Sequence, residues 1–363
     1  MLPSPNKMGE LETTAGHVIV CGFDGTTLPP RIERWLERDS VAGLILFKRN
    51  IESIEQAKSL LDRCAAIAGS SLPPLLSVDQ EGGRVARLRE PVLPLPPMRS
   101  LAKLDDVALT MEAGEALGRQ LRAIGFNLDF APVLDVDTNP QNPVIGDRSF
   151  GADPEEVVRH ALAFAEGLHR GGVLSCGKHF PGHGDTDLDS HLALPRLRHA
   201  RERLDAVELL PFRAAVGALP SLMTAHVVFE GLDPDVPATM SERAIQDLLR
   251  NEIGYQGAVF SDDLEMKAVS DRYSIEEAGV RAIAAGCDLL LVCSDVDAAE
   301  RLRERLVREA ASSETFRRRL LEARGRADSL RERAAQLGAP ATLENALHHP
   351  QARAVEARLA QFA

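Results

Sequence analysis

The sequence predicts an α/β protein of a single domain, a (β/α)8 TIM barrel. Short apolar runs alternate with segments of helical period along most of the 363 residues, and we count eight such runs. Their continuous blocks of Leu and β-branched residues are typical of parallel strands buried on both faces. Polar residues follow every one of the eight runs, and in a barrel all of those positions meet on one face. A doubly wound open sheet would instead concentrate them at one switch point.

The predicted strands are bounded by Gly, Pro and Asp, which favour turns. In chain order they cover 17–23, 41–47, 75–78, 127–136, 174–180, 222–228, 258–261 and 288–293. Between them, helical period is found at 30–39, 53–68, 107–124, 154–171, 200–216, 241–251, 275–285 and from 297 to about 337. Ser53 is a favourable N-cap for the second of these helices.

The barrel is predicted to occupy residues 16–338, because no linker rich in Pro, Gly or Ser divides that stretch. Residues 1–15 form an N-terminal extension in this division, and 339–363 form a C-terminal helix or tail. The stretch 315–338 is rich in Arg, Glu and Ala. We expect it to be a surface helix on the outside of the barrel, with its charges in solvent.

Composition limits the classes of function. The net charge of −12 argues against a nucleic-acid-binding protein, which needs a basic face. The N-terminus has no apolar stretch of the signal-peptide type, and no apolar run approaches the length of a membrane span. We therefore expect a cytoplasmic protein that does not bind membranes. Five cysteines without a C-x-x-C motif indicate buried, reduced thiols rather than disulfides.

The segment 178–191 is the densest in chemically active residues, since seven of its fourteen residues are Lys, His or Asp. A calcium loop is disfavoured because Ser190 and Arg196 stand where such a loop needs Gly and Glu. Zinc bound by three histidines, His179, His183 and His191, follows no standard spacing. A purely structural polar loop is the second interpretation. The third is acid/base catalysis, in which Asp189 orients His191 and raises the pKa of its imidazole.

Three further groups of residues follow predicted strands. Of Asp262 and Asp263, one suits a helix N-cap and the other a nucleophile. Asp79 precedes a Gly-Gly pair that indicates a tight turn, and its carboxylate could accept hydrogen bonds from substrate hydroxyls. The Gly-Gly pair lacks the flanking pattern of a nucleotide-binding loop. Arg148 could hold an anionic or acetamido group, or it could simply pair with Asp147.

Five strings at or after predicted strand ends together resemble glycoside hydrolase family 3. They are KHFPGHGDTDLDSH, FSDDLEM, SVDQEGGRVARL, FAPVLDVDTNPQNPVIGDRSFG and AGCDLLLVCS. The resemblance extends from about residue 17 to residue 294 and is closest to the bacterial, single-domain β-N-acetylhexosaminidases of cell-wall recycling. The first string is long and therefore carries most of the specificity.

The resemblance implies a retaining β-N-acetylglucosaminidase that needs no metal or cofactor. Asp262 matches the nucleophile, His191 the acid/base, and Asp189 the aspartate that assists it. The matching substrate-binding positions are Asp79, Arg87, Arg148, Lys178 and His179. The implied substrate is a small carbohydrate, an N-acetylglucosaminyl-anhydro-muropeptide fragment, and we expect a monomer. A β-glucosidase or a glycoside phosphorylase of the same family is the alternative, and a non-catalytic sugar- or metal-binding barrel is another.

A mobile loop is expected to carry the acid/base, with Gly182 and Gly184 as candidate hinges.

Overall fold

The computed structural model describes residues 5–68, 72–190 and 193–361. Eight parallel strands close into a barrel in which each strand pairs with its neighbours in chain order. The last strand pairs with the first, with Val20 opposite Leu291. We number these strands β1 to β8, and they are Ile19–Cys21, Gly43–Leu46, Leu75–Val78, Leu128–Asp129, Leu174–Phe180, Ser221–Thr224, Ala258–Asp263 and Leu289–Val292. The predicted fold class is thus confirmed.

Two strands end well before their predicted C-terminal limits. β4 ends at Asp129, and Pro132 lies soon after it without the N–H that a strand interior needs. After that proline, Val133 forms an isolated parallel β-bridge with Lys178 of β5. β6 ends at Thr224, and Val228–Phe229 pairs instead with Arg196–Leu197 in a small separate sheet.

Helices surround the barrel. In chain order, α1 to α14 are Pro5–Gly16, Pro30–Glu37, Ile54–Ile67, Met98–Ala102, Val107–Ile124, Pro154–Arg170, Arg201–Ala206, Leu210–Ala214, Lys267–Ser270, Ile275–Ala285, Val296–Ser312, Glu314–Ala335, Leu343–Leu347 and Pro350–Leu359. The helix predicted at 241–251 is a π-helix, Arg243–Glu252. Short 3-10 helices cover Lys48–Asn50, Gly146–Arg148 and Ala238–Met240.

Two predicted helices are each broken in two. The segment 200–216 forms α7 and α8, and α8 begins next to Pro211, which suits a first helical turn because it lacks an N–H. The segment from 297 onward is interrupted at Ser313, which has extended backbone dihedrals. The Ser313 hydroxyl accepts the N–H of Phe316 at 3.2 Å and so caps α12.

Helix α12 closes the N-terminal end of the barrel. The expectation that its charges lie in solvent is therefore wrong for the face of α12 that packs against the barrel. Ala327, Leu330 and Ala334 share one apolar cluster with residues inside the barrel such as Leu128. Arg331 is only 1 % exposed and donates to the carbonyl oxygens of residues 72 and 73. Asp39 pairs with its guanidinium at 2.7 Å and so offsets the cost of burying that charge.

Side chains fill the barrel interior, so the barrel has a floor beneath its C-terminal end. Phe130 and Phe260 meet edge to face there, with ring centroids 5.2 Å apart. All five cysteines are buried and free, as predicted. Within the described ranges, no helix combines the length and apolarity that crossing a membrane requires. The domain limits at 15/16 and 338/339 stay predictions.

Candidate active site

A cleft of about 370 Å³ opens at the C-terminal ends of the strands. Seven of the eight predicted site residues line it: Asp79, Arg87, Arg148, Lys178, His179, Asp189 and Asp262. The eighth, His191, lies outside the described residues, as does Leu192. Four of these residues, Asp79, Lys178, His179 and Asp262, lie at or directly after the carboxyl end of a strand, where a barrel gathers its functional groups.

Lys178 is the central cation of the cleft. Its ammonium nitrogen lies 2.7 Å from Asp79 Oδ1 and 2.6 Å from Glu81 Oε1. Glu81 in turn receives two parallel hydrogen bonds from Arg148, both of 2.8 Å. Arg87 approaches the other oxygen of Asp79 at 3.2 Å. These five side chains form an alternating network of two carboxylates and three cations.

Burial of this network gives its charges large effects on one another. Burial disfavours the ionised form of Glu81, but Arg148 and Lys178 outweigh it and lower the pKa of that carboxyl group. The pKa of Asp79 is lowered in the same way, against burial, by Lys178 and Arg87. The pKa of Lys178 is raised because its two carboxylate partners outweigh burial. The three groups are therefore ionised at neutral pH.

Arg148 does not pair with its neighbour Asp147, so that interpretation of the loop is wrong. Asp147 pairs with Arg84, and Arg148 turns into the cleft towards Glu81. The reason is geometric, because the planar guanidinium matches a carboxylate that can accept two hydrogen bonds at once.

A short hairpin, Gln80–Gly82 with Val85–Ala86, carries part of the network. The side-chain oxygen of Gln80 accepts the backbone N–H groups of Arg87 and Leu88, at 2.8 Å and 3.0 Å. Gly82 has a φ of +111°, and a Cβ atom there would lie 2.9 Å from the carbonyl oxygen of Pro96. The Gly-Gly pair thus forms the tight turn predicted for it.

His179 is held by Asp135, a fully buried carboxylate. Asp135 Oδ2 lies 2.7 Å from His179 Nδ1, while Oδ1 accepts the backbone N–H groups of His179 and His183 at 3.1 Å and 2.7 Å. Burial would raise the pKa of Asp135, but the charge and hydrogen bonds of His179 lower it. Asp135 therefore places Nδ1–H towards itself and presents the Nε2 edge of His179 to the cleft.

The two neighbouring aspartates at the end of β7 have different surroundings. Asp262 lines the cleft, and its Oδ1 accepts the N–H of Asp263 at 2.8 Å. Asp263 Oδ1 accepts the N–H groups of Glu265 and Cys293 at 3.1 Å and 3.3 Å. Burial, followed by the charges of Glu265 and Asp262, raises the pKa of Asp263 to about 7. Asp263 thus binds backbone N–H groups but is not the helix N-cap foreseen for one member of the pair, because α9 begins only at Lys267.

The two glycines of the histidine loop lie close to neighbouring groups of the protein. A Cβ atom on Gly184 would lie 1.9 Å from the carbonyl oxygen of Val136, and one on Gly182 would lie 2.9 Å from the Glu208 side chain. Only glycine therefore fits at these two positions in this conformation, and their action as hinges stays a prediction.

Metal binding by this loop finds no support in its geometry. In the part of the chain that the structure describes, no group of three or more His, Cys, Asp or Glu residues could hold an ion. The Asp185 carboxylate accepts from Thr138 at 2.8 Å and meets His199 at 2.5 Å. Both ring nitrogens of His183 contact hydroxyl groups, those of Thr186 and Ser190. His191 lies outside the described residues.

Comparison with known proteins decides the family. The profile described as the glycosyl hydrolase family 3 N terminal domain matches residues 6–322, which is most of the chain. The chain belongs to this family. A β-hexosaminidase of Idiomarina loihiensis is 42 % identical over 275 residues, which are 75 % of this chain and 82 % of that protein. The family 3 chain is thus a glycoside hydrolase of the β-hexosaminidase type.

Solved structures of family 3 proteins share the whole fold. A β-N-acetylglucosaminidase from Paenibacillus sp. str. FPU-7 superposes with a TM-score of 0.90 at 38 % identity, covering 97 % of this chain and 68 % of that one. NagZ from Neisseria gonorrhoeae in complex with N-trifluoroacetyl-D-glucosamine has a TM-score of 0.80 at 32 % identity, covering 95 % and 98 %.

Three residues at or beside this family 3 cleft receive no role in catalysis or sugar binding from sequence analysis: Glu81, Asp135 and His183. Each acts through a tertiary partner that is distant in the chain; Glu81 and Arg148, for example, are 67 positions apart. The available signal was the position of Glu81 shortly after one predicted strand and of Asp135 near the end of another, where an unpaired buried carboxylate would be costly.

Proposed function

We propose that this family 3 enzyme removes terminal β-linked N-acetylglucosamine with retention of configuration. Asp262 is the nucleophile, and His191, assisted by Asp189, is the acid/base. The names of the relatives support the activity and the sugar, since one solved neighbour is a β-N-acetylglucosaminidase and another was solved with an N-acylated glucosamine derivative.

The observation that carries the proposal is the difference between the surroundings of Asp262 and Asp263, both of which line the cleft. Asp263 is occupied by two backbone N–H groups, and its raised pKa disfavours the charged form that a nucleophile needs. Asp262 lines the cleft that also contains the buried cations Lys178 and Arg148. Of the two carboxylates at the end of β7, Asp262 is therefore the one suited to attack a bound sugar.

The reaction then has two steps. In the first, an Asp262 oxygen forms a bond to the anomeric carbon while the glycosidic bond breaks and His191 donates its proton to the leaving oxygen. In the second, the neutral imidazole removes a proton from water, which attacks the anomeric carbon and releases Asp262. The negative charge of Asp189 would favour the protonated imidazole before the first step.

The charged network is proposed to bind the sugar. Carboxylate oxygens of Asp79 can accept hydrogen bonds from ring hydroxyl groups, while Arg87, Arg148 and Lys178 can donate to hydroxyl or acetamido oxygens. His179 can donate or accept through Nε2, because Asp135 holds its other nitrogen. Fixed, ionised partners need no reorganisation when the substrate enters.

As natural substrate we propose N-acetylglucosaminyl-anhydro-muropeptide fragments, met in the cytoplasm by a monomeric enzyme. The closeness of the motif strings to the cell-wall recycling branch supports the substrate.

The test compares an aryl N-acetyl-β-glucosaminide with the matching aryl β-glucoside, each with and without phosphate. We expect turnover of the N-acetylglucosaminide alone, at a rate that phosphate does not change, with free N-acetylglucosamine as product. Faster turnover of the glucoside would identify a β-glucosidase. Formation of N-acetylglucosamine 1-phosphate would identify a phosphorylase, for which a histidine acid is suitable because it presents no negative charge to phosphate.

A further inference from the structure

The segment that carries Asp189 is tied to the base of its own loop by a buried contact. Ser190 and His183 are both almost fully buried, and the Ser190 hydroxyl lies 3.0 Å from His183 Nε2. Ser190 directly follows Asp189 and directly precedes His191. Whatever fixes Ser190 therefore limits where Asp189 can be.

Hydroxyl groups meet both ring nitrogens of His183. Thr186 Oγ1 lies 2.8 Å from Nδ1 and 3.1 Å from the His183 carbonyl oxygen. The Ser190 hydroxyl lies at Nε2, on the other side of the ring. His183 thus links Thr186 to Ser190.

His183 is itself anchored to the barrel. Its backbone N–H donates to Asp135 at 2.7 Å, and its carbonyl oxygen accepts from the amide of Asn142 at 2.9 Å. Asn142 also donates to Thr186 Oγ1 at 3.2 Å. Asp135, which orients His179, therefore also fixes the start of the His183–Ser190 link.

Ser190 has a second anchor on the nucleophile's side of the cleft. Its carbonyl oxygen accepts the N–H of Ala268 at 3.2 Å. Ala268 belongs to α9, which begins five residues after Asp262. The same residue thus contacts the loop base through its side chain and the segment after β7 through its backbone.

We propose that His183 is a positioning residue, which through Ser190 holds the acid/base segment at the cleft. This inference rests on the proposed function and deepens it, since it explains how a loop without regular structure keeps Asp189 and its neighbour in register with Asp262. His183 does not compete as the acid/base itself. Burial and the charge of His179 lower its pKa to about 4, so it stays neutral when the enzyme works near neutral pH.

The test removes the Ser190 hydroxyl by Ser190→Ala, with Ser175→Ala as matched control. Ser175 is also buried, and its hydroxyl lies 2.8 Å from His169 Nε2, but at the opposite end of β5. The two variants therefore lose the same kind of contact, and only one of them lies beside the cleft. Both are assayed on aryl N-acetylglucosaminides with a poor leaving group, phenol, and a good one, 2,4-dinitrophenol.

We expect Ser190→Ala to lower kcat/KM, which reports the first step alone, about tenfold for the phenyl substrate, as loss of one buried hydrogen bond to a positioned group should. The dinitrophenyl substrate needs little protonation in that step, so its kcat/KM should fall less than about twofold. Ser175→Ala should leave the ratio of the two rates unchanged. Hydrogen exchange at the Ala268 amide should accelerate in Ser190→Ala only.

His191→Ala separates failure of this inference from failure of the proposed function. If His191→Ala depends on the leaving group and Ser190→Ala does not, the positioning role is overturned while the acid/base assignment stands. The positioning role is also overturned if Ser190→Ala slows both substrates equally or matches Ser175→Ala. If His191→Ala slows both substrates equally, the acid/base assignment and the positioning role are overturned together.

Discussion

Asp262→Asn should lower kcat on an aryl N-acetylglucosaminide by about 10⁴-fold or more, the scale on which loss of a nucleophile acts in covalent catalysis. The amide cannot form the glycosyl ester, so only slow direct attack by water would remain. Asn has almost the same shape and can still accept the N–H of Asp263. The fold should therefore be retained, and the far-UV circular dichroism spectrum and unfolding midpoint should match those of the unchanged protein.

Asp263→Asn is the matched control, because it makes the same chemical change one residue further on. Its side-chain oxygen can still accept the N–H groups of Glu265 and Cys293, so kcat should stay within about tenfold. If Asp263→Asn were the more damaging change, or if Asp262→Asn remained active, Asp262 would not be the nucleophile.

Glu81→Gln should have the largest effect on stability of any change in the cleft. Glu81 is only 2 % exposed and neutralises Arg148 and Lys178 together. Loss of the Glu81 charge leaves the two buried cations with too little negative charge beside them, which typically costs about 3–5 kcal/mol. The free energy of unfolding, measured with urea, should fall by that amount, and KM should rise because the sugar-binding cations are displaced.

Glu166→Gln provides the comparison on the surface. Glu166 pairs with Arg170 at 2.8 Å, but both side chains are about half exposed. Water solvates both partners, so the loss should be under about 1 kcal/mol and kcat should not change. Equal losses of stability in the two variants would show that the Glu81 network adds nothing beyond an ordinary surface ion pair.

The barrel was predictable because its strands are buried on both faces and their polar residues all follow the apolar runs. What escaped prediction depends on contacts distant in the chain. The Arg-rich composition of α12 suggests a surface helix, yet Arg331 is buried because Asp39 and the carbonyl oxygens of residues 72 and 73 meet it there. No local pattern contains that information.

The site was likewise predictable only where local sequence carries the information. Residue type and strand-end position indicated a polar cleft, and the family resemblance assigned the roles of Asp262 and Asp189. The pairing of Arg148 with Glu81 rather than Asp147 required the fold, since the partner comes from a different strand end. The link from Asp135 through His183 to Ser190 also required it, because each hydrogen bond joins residues whose spacing has no regular period.

Trapping the covalent intermediate tests the central claim most directly. The enzyme would be incubated with a fluorinated N-acetylglucosamine analogue that carries a good leaving group. The leaving group allows the intermediate to form, and the fluorine slows its hydrolysis. After proteolysis, mass spectrometry should locate one added glycosyl group on Asp262 in the peptide containing the FSDDLEM string. A label on Asp263 or on another carboxylate, or turnover of the analogue without any labelled intermediate, would contradict the account.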